Sequence, residues 1–455
     1  MTLSEQLSHL PTLLDEGIER YAVPGASVAV LHGDETFECA AGVVNLDTGV
    51  EATTDAVFQI GSITKIWTTT LMMQLVDEGL VHLDDPVQRH LPEFGLADPD
   101  AAAQITVRQL LDHSSGMDGD FFEDTGRGDD CVERFVLACR ALPQLHPPGE
   151  GFSYCNAGFV VAGRIIEKLR GMSWDDALRT HLAEPIRAVS LESLPDQMAF
   201  YRPAVGHVPD GNGGFRVAPV PFLSRSNGPA GATPYGAARD VLQLARLHLD
   251  DGVAGDGTRV LSSESVAAMQ QSQLVTPPAI GADEWGLGWM LFDWSDRRLI
   301  GHDGATLGHN AYLRIVPEAG VAVVLLTNGG NPAALYRRVM NHVLGELCDI
   351  SLPPLPTPTD EAFDATALAG TYERLAQRIV VENRDGELWA ELVDRRPLVP
   401  GAPPVPPVQL LHAGDRLFVY RRPGSNFTEQ VYFGGPDAGG RPSWAFVGRR
   451  LPRIG

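Results

Sequence analysis

Ser62 and Lys65 stand three residues apart in VFQIGSITKIW (57–67), and Lys65 is one of two lysines in a chain that carries 33 arginines. A serine hydroxyl is a weak nucleophile until a neighbour takes its proton. Residues at i and i+3 share a helix face, so Nζ of Lys65 is placed to reach Oγ of Ser62. Desolvation and nearby cations lower a lysine's pKa until the neutral amine acts as a base, whereas a guanidinium stays protonated. A chain that builds nearly every cation from arginine keeps a lysine where a removable proton is needed. Gly61 and the helix N-terminus after Ser62 would aim backbone N–H groups at a developing oxyanion. The competing reading of the pair is a serine helix cap with a solvated lysine.

Two later segments add chemistry. FSYCNAG supplies Tyr154 and Asn156, a phenol and an amide on one short loop at the head of a predicted helix. Such a pair can relay a proton and orient a substrate carbonyl; alone, it also reads as a packed tyrosine with an asparagine cap. GHDGATLGH supplies His302 and Gly304 at a strand edge, where a glycine allows close approach of substrate backbone. His-x-Gly recurs at His412-Ala-Gly414, but the first copy lies on a strand of the main domain. His113-Ser114-Ser115 reads as framework, because adjacent residues rarely attain base-to-nucleophile geometry. No G-x-S-x-G is present. The scattered His32, His82, His90, His146 and His181 receive no ligand role.

The elements that must hold these groups follow from periodicity. Leu3, Leu7, Leu10, Leu14 and Ile18 fall at helical spacing and predict one amphipathic N-terminal helix rather than a signal peptide. ASVAVLHG and TFECAAGVV predict a hairpin around Gly33-Asp34. A helix is expected from about Ser62 to Glu78, stopped by Gly79, with others over 157–170, 173–182 and 234–249. DGDFFEDTGRGDD (118–130) lacks the alternate carboxylates of a calcium loop and reads as a solvated loop or lid. GLGWMLFDW, RRLIGHDG, HNAYLRIVP and GVAVVLLTNGG predict four strands, followed by a helix over 332–348. Early and late strands around a helical middle imply an α+β domain whose antiparallel sheet is assembled from both ends of the domain.

This catalytic domain is expected over residues 1–350. Residues 351–362, SLPPLPTPTDEA, form a proline-rich linker. Residues 363–455 hold short strand-like runs such as TYERLAQRIVVEN, ELWAELV, RLFVYRR and QVYFGG, and predict a small β-barrel or sandwich. From Phe363 onward, 12 arginines face 10 carboxylates, so the −23 of the whole chain puts −25 on the remainder. That charge argues against nucleic-acid and anionic-membrane partners. The five cysteines show no CxxC spacing and read as free thiols in a reducing cytoplasm, with no metal site and no cofactor expected.

In order and spacing the three motifs resemble the serine acyl-enzymes of the penicillin-binding-protein and class C β-lactamase superfamily. The resemblance spans about residues 10–345, with TVRQLLDHSSGM (106–117), LPQLHPPGEGFSYCNAG and GHDGATLGHNAYLRIVP similar as well. It implies a covalent acyl-enzyme on Ser62, with Lys65 and Tyr154 sharing base and acid work. It further implies that Asn156 positions a substrate amide, that His302 and Gly304 border the site, and that the Ser62 and Ala305 N–H groups form an oxyanion hole. Family β-lactamases carry Lys-Thr-Gly where this chain has His302-Asp303-Gly304, a pattern similar to D-aminopeptidases, esterases and related peptide acyltransferases. β-Lactam hydrolysis is therefore not the expected role. A lipocalin-like barrel appended to such a domain is similar to D-aminopeptidases and to penicillin-binding-protein-type thioesterases, which release and cyclise nonribosomal peptides ending in a D-residue. The expected activity is that of a peptide thioesterase or cyclase. Its partner would be a peptide or peptidyl thioester, presented free, as a substrate mimic or on an acyl-carrier protein. The alternative is a D-aminopeptidase, amidase or esterase. A reading of another class, a non-catalytic penicillin-recognition module, has no use for a deprotonatable lysine.

Overall fold

The computed structural model describes residues 1–397, 405–423 and 427–455. Leu3, Leu7, Leu10 and Leu14 are all buried, yet they do not share one helix. A short helical turn covers Leu3–Gln6 and α1 covers Leu10–Arg20, so the single N-terminal helix of the sequence reading is corrected to two. Pro11 explains the break: it lacks an N–H, and its ring would clash with the carbonyl of Leu7 in a continuous helix. In the first turn of α1 neither defect matters.

The hairpin is as expected, β1 (Gly25–His32) with β2 (Glu35–Asn45), and β3 (Val50–Glu51) adds an edge. The helical middle contributes α2 (Thr64–Asp77), α3 (Asn156–Arg170) and α4 (Ala238–Leu249). Then come β4 (Leu274–Val275), β5 (Glu284–Trp285), β6 (Met290–Trp294), β7 (Arg297–Ala305), β8 (Asn310–Val316), β9 (Val321–Thr327) and α5 (Pro332–Cys348). The nine strands form one sheet in the order β3-β2-β1-β9-β8-β7-β6-β5-β4. The early and late strands of this domain therefore meet where β1 pairs antiparallel with β9, Ala26 opposite Thr327.

Every residue of β9 is buried. Ala322, Val324 and Leu326 pack with α2, α3 and α4, while Val321, Val323 and Leu325 pack with α1 and α5. Helices thus cover both faces of the sheet, which explains an apolar run without alternation. Helix α2 lies at the centre and is buried from Thr64 to Leu75. Buried threonine hydroxyls on it are satisfied within the protein, Thr69 and Thr70 donating to Lys65 O and Ile66 O and Thr68 to Pro229 O.

Beyond a segment without helix or strand (351–364), eight strands follow. They are β10 (Gly370–Glu373), β11 (Gln377–Arg384), β12 (Glu387–Asp394), β13 (Val408–His412), β14 (Leu417–Tyr420), β15 (Glu429–Pro436), β16 (Pro442–Phe446) and β17 (Arg450–Pro452). They pair antiparallel in sequence order, and a bridge between Tyr372 and Arg453 nearly closes them into a barrel. The run 371–383 is two strands rather than one, split by a turn in which Arg374 N donates to Gln377 O (2.8 Å). Phe446 leaves the barrel's own core and packs on Phe152, their ring centroids 6.1 Å apart. Among the described residues no helix is long and apolar enough to cross a membrane.

Candidate active site

The chain enters the site through a 3₁₀ turn, Gly61–Ile63, that runs directly into α2. Gly61 has φ +52°, and a Cβ there would lie 2.6 Å from Ala305 N. A Cβ on Gly304 would lie 2.0 Å from Ile60 O and 3.1 Å from Ser62 N. Both positions require glycine, and their absent side chains let the end of β7 close on the turn. The Ser62 and Ala305 amides are brought together by this contact.

Lys65 is fully buried. Its Nζ donates to Ser62 Oγ at 3.0 Å and to Ala230 O at 2.6 Å, so the sequence pair is a direct hydrogen bond rather than a cap and a solvated cation. Burial, and next the Arg449 guanidinium, hold its pKa well below that of an ordinary lysine, against the opposing pull of Asp120. The amine is therefore available in neutral form.

Tyr154 precedes α3, whose first residue is Asn156. Lys65 Nζ lies 4.9 Å from the centroid of its ring. Burial raises the phenol above its usual pKa, partly opposed by its hydrogen bond with Ser62 and by Arg449. It is a proton-bearing group, not a resident phenolate. His113 packs against the ring with centroids 4.1 Å apart, and its Nδ1 accepts the Cys155 N–H at 2.9 Å. The framework histidine thus steadies the Tyr-x-Asn loop. Asn156 Nδ2 donates to Asp120 Oδ1 at 2.9 Å.

His302 lies on β7, an interior strand of the sheet paired with β6 and β8. The short strands β4 and β5, absent from the sequence reading, extend the sheet past it. Burial, and next Lys65, press the imidazole pKa down to about 3, so it is neutral. Its Nδ1 lies 2.6 Å from Asp303 O, the contact of an Nδ1–H donor with a carbonyl.

A cavity of about 490 Å³ opens over these groups. Six of the seven residues singled out in the sequence line it, namely Ser62, Tyr154, Asn156, His302, Gly304 and Ala305, while Lys65 lies beneath. Phe122, Leu223, Ile280 and Met290 supply apolar wall, and Arg449 from the barrel completes the lining. Arg449 Nη2 donates to Asp120 Oδ1 at 2.9 Å, and its guanidinium carbon lies 4.7 Å from the Tyr154 ring centroid. The acidic stretch is corrected here: Asp118 and Asp120 are enclosed, and only its later part, Glu123, Asp124, Asp129 and Asp130, is exposed. Asp120 has no signal in the sequence, because its partners are Arg374 and Arg449. No group of three or more His, Cys, Asp or Glu able to hold a metal occurs among the described residues. The five cysteines are buried free thiols.

Residues 10–343 match the family described as Beta-lactamase. The chain is 46% identical over 359 residues to penicillin-binding protein 4 of Amycolatopsis lactamdurans, covering 77% of this chain and 93% of that protein. The crystal structure of SurE is similar over the full length of both chains, with TM-score 0.81 and 28% identity. A structure of SurE with D-Leu gives TM-score 0.77 over 99% of this chain and all of that one, again at 28% identity. The D-amino acid amidase of Ochrobactrum anthropi SV3 is 25% identical with TM-score 0.63, covering 75% of this chain and 98% of its own.

Proposed function

Because the chain belongs to the β-lactamase family of serine hydrolases, we propose that it builds a covalent acyl-enzyme on Ser62 and transfers a peptidyl group ending in a D-residue. The observation that carries this reading is the buried Lys65 amine, hydrogen-bonded to Ser62 Oγ at 3.0 Å. Neutral Lys65 takes the hydroxyl proton as Oγ attacks the substrate carbonyl carbon. The oxyanion that forms is received by the Ser62 and Ala305 N–H groups. When the tetrahedral intermediate collapses, the leaving thiol or amine receives the proton from Lys65 through the Tyr154 hydroxyl, and the acyl group remains on Oγ. Neutral His302 shapes the site beside Tyr154 and takes no proton. In the second half an amine or water gives its proton back along the same path and its heavy atom takes the acyl carbon, restoring the Ser62 hydroxyl.

The D-configured acyl group is supported by the likeness to SurE, which has been crystallised with D-Leu, and to a D-amino acid amidase. The feature that favours a peptide thioesterase or cyclase is the barrel appended to the catalytic domain, which the full-length likeness to SurE takes in and the amidase, matching three quarters of this chain, does not. Ring closure needs the peptide's own amine held near the ester, because positioning must outcompete bulk water. A cavity walled partly by the barrel and lined by apolar residues suits that task. The −25 charge of the first 362 residues would attract a cationic amino terminus but repel an acidic carrier protein, so carrier docking would fall to the arginine-rich barrel.

The test is a linear peptide thioester with a D-residue at its C-terminus, followed by mass spectrometry. Cyclic product, lighter than the linear acid by one water, is expected as the major species. Linear acid alone, with efficient hydrolysis of D-aminoacyl amides, would replace this reading by the amidase one.

A further inference from the structure

Two carboxylates of the acidic stretch have no role in the chemistry above, and both are held by the barrel. Asp118 Oδ2 accepts the Leu375 N–H at 2.6 Å, in the turn between β10 and β11. Asp120 Oδ2 accepts from Arg374 Nη2 at 2.7 Å, while Asp120 Oδ1 accepts from Arg449 Nη2 and from Asn156 Nδ2, each at 2.9 Å. Two barrel guanidinium groups and the amide of the Tyr-x-Asn motif therefore converge on one carboxylate. The side chains of Arg374 and Asp120 keep only 6% and 11% of their exposure, so solvent does not substitute for any of these partners.

An ionised carboxylate only accepts hydrogen bonds, so it selects one face of a neighbouring carboxamide. Asn156 must turn its NH₂ toward Asp120, which leaves Oδ1 to accept an N–H from whatever occupies the cavity. Without Asp120 the amide has two nearly isosteric orientations. The same carboxylate fixes Arg449 over Tyr154. We propose that Asp120 is a positioning residue through which the barrel, by Arg374, fixes the Asn156 amide and the Arg449 guanidinium against the Ser62 site. The proposal rests on the reading of Ser62 as the acylated residue. Arg374 does not line the cavity, so its influence on rate would pass through Asp120 and Asp118.

A double-mutant cycle tests this in the full-length chain. Asn156→Ala is expected to lower kcat/KM on the peptide thioester by about 100-fold and Asp120→Asn by about 30-fold, with the double variant near 100-fold rather than near 3000-fold. Multiplying effects would overturn the proposal. A second readout is the acid limb of the rate profile, which reports Lys65. Around that amine stand Ser62, Tyr154, His113, His302, Cys155, Arg449 and Asp120. Among them Asp120 supplies a negative charge, so Asp120→Asn should move the acid limb to lower pH; an unmoved limb would mean a purely structural residue. If Asp120→Asn does not fold, the same cycle is run with Arg374→Met, and Arg374→Lys should retain more rate than Arg374→Met. Labelling of Ser62 by a serine-reactive phosphonate, read by intact mass, separates the two failures. No label on the native chain removes the acyl-enzyme reading itself, whereas a label with multiplying effects removes only the role of Asp120.

Discussion

Tyr154 stands between two buried polar clusters that handle burial in opposite ways. On one side Lys65 has neutral hydrogen-bond partners, a hydroxyl and a carbonyl, and its proton affinity falls. On the other, Asp120 is also enclosed, and burial works to raise its pKa. There Arg449, Arg374 and Asn156 outweigh burial, and the carboxyl stays ionised below the usual range. Burial alone does not decide the charge of a group; its partners do. A base must be kept from close counter-ions, whereas a scaffold charge must be paired on every side. In the proposed reading Lys65 serves the first task and the arginines the second, whereas the other lysine, Lys168, is a part-exposed cation beside Glu93.

The largest effects should come from the neutral cluster. Ser62→Ala is expected to abolish acylation while the fold persists, checked by intact mass with a phosphonate and by circular dichroism. Lys65→Arg preserves size and places an unremovable proton at the base, so turnover should fall by at least about 100-fold. A near-native rate in Lys65→Arg would make Lys65 a structural cation and erase the contrast.

Loss of the paired cluster as a whole comes next. Ending the chain within 351–362 removes Arg374, Arg449 and the Phe446 ring that packs on Phe152. It leaves Asp118 and Asp120 without their cations. The truncated protein is expected to acylate a small ester slowly and to lose peptide selectivity, with a lower melting temperature than the whole chain. Unchanged selectivity in a folded truncation would show that the barrel is a passenger. A narrower probe is Arg449→Met. Arg449 is the next largest cause of the low Lys65 pKa after burial, so its removal should shift the acid limb of acylation to higher pH, opposite to Asp120→Asn.

The two clusters also differ in how far sequence exposes them. Ser62 and Lys65 are one helical turn apart, and i to i+3 geometry is local. The hairpin, β6 to β9 and α5 were equally legible, since each is a continuous periodic segment. Tyr154 and His302 needed only the reading of one helix start and one strand. Asp118 and Asp120 were not legible. Locally, a run of acids with glycines reads as solvated, and what buries it is a turn more than 250 residues away, joined only by the tertiary fold. β13, β16 and β17 escaped for a nearby reason: they are three to five residues long and bounded by proline and glycine. Pro11 was visible, and its steric consequence outranks the leucine spacing that suggested one helix.

Smaller again is the expected effect of His302→Ala. The imidazole is neutral at working pH and its Nδ1 is bonded to Asp303 O. Its loss opens space beside Tyr154 without removing a proton carrier, so the rate should fall by about tenfold, far less than for Ser62→Ala. The pH profile should keep its shape, because a group titrating near 3 does not shape the range where Lys65 works. A loss equal to that of Ser62→Ala would turn His302 into a participant in proton transfer.

The smallest effect tests whether neutrality by burial is special to the site or general to the core. His248, on α4, is fully enclosed, packs its ring against Trp289 with centroids 5.0 Å apart, and has a pKa pressed down to about 3 by burial alone. In the unfolded chain the same imidazole titrates near 6.5. Between these two values the unfolded state binds a proton that the native state does not, so stability falls as pH drops from about 6.5 toward about 3. Above about 6.5 the term vanishes. His248→Gln removes it while keeping a polar group near Thr70 Oγ1, which lies 3.2 Å from His248 Nε2. At pH 7.5 the variant should be less stable than the native chain, through lost packing. By pH 5 the gap should narrow by about 2 kcal/mol, at roughly 1.4 kcal/mol per pH unit for one site. Urea unfolding at the two pH values reads the difference directly. A gap that stays constant would mean His248 takes up its proton in the folded state, and that low-pKa groups are a device of the active site rather than of the core around it.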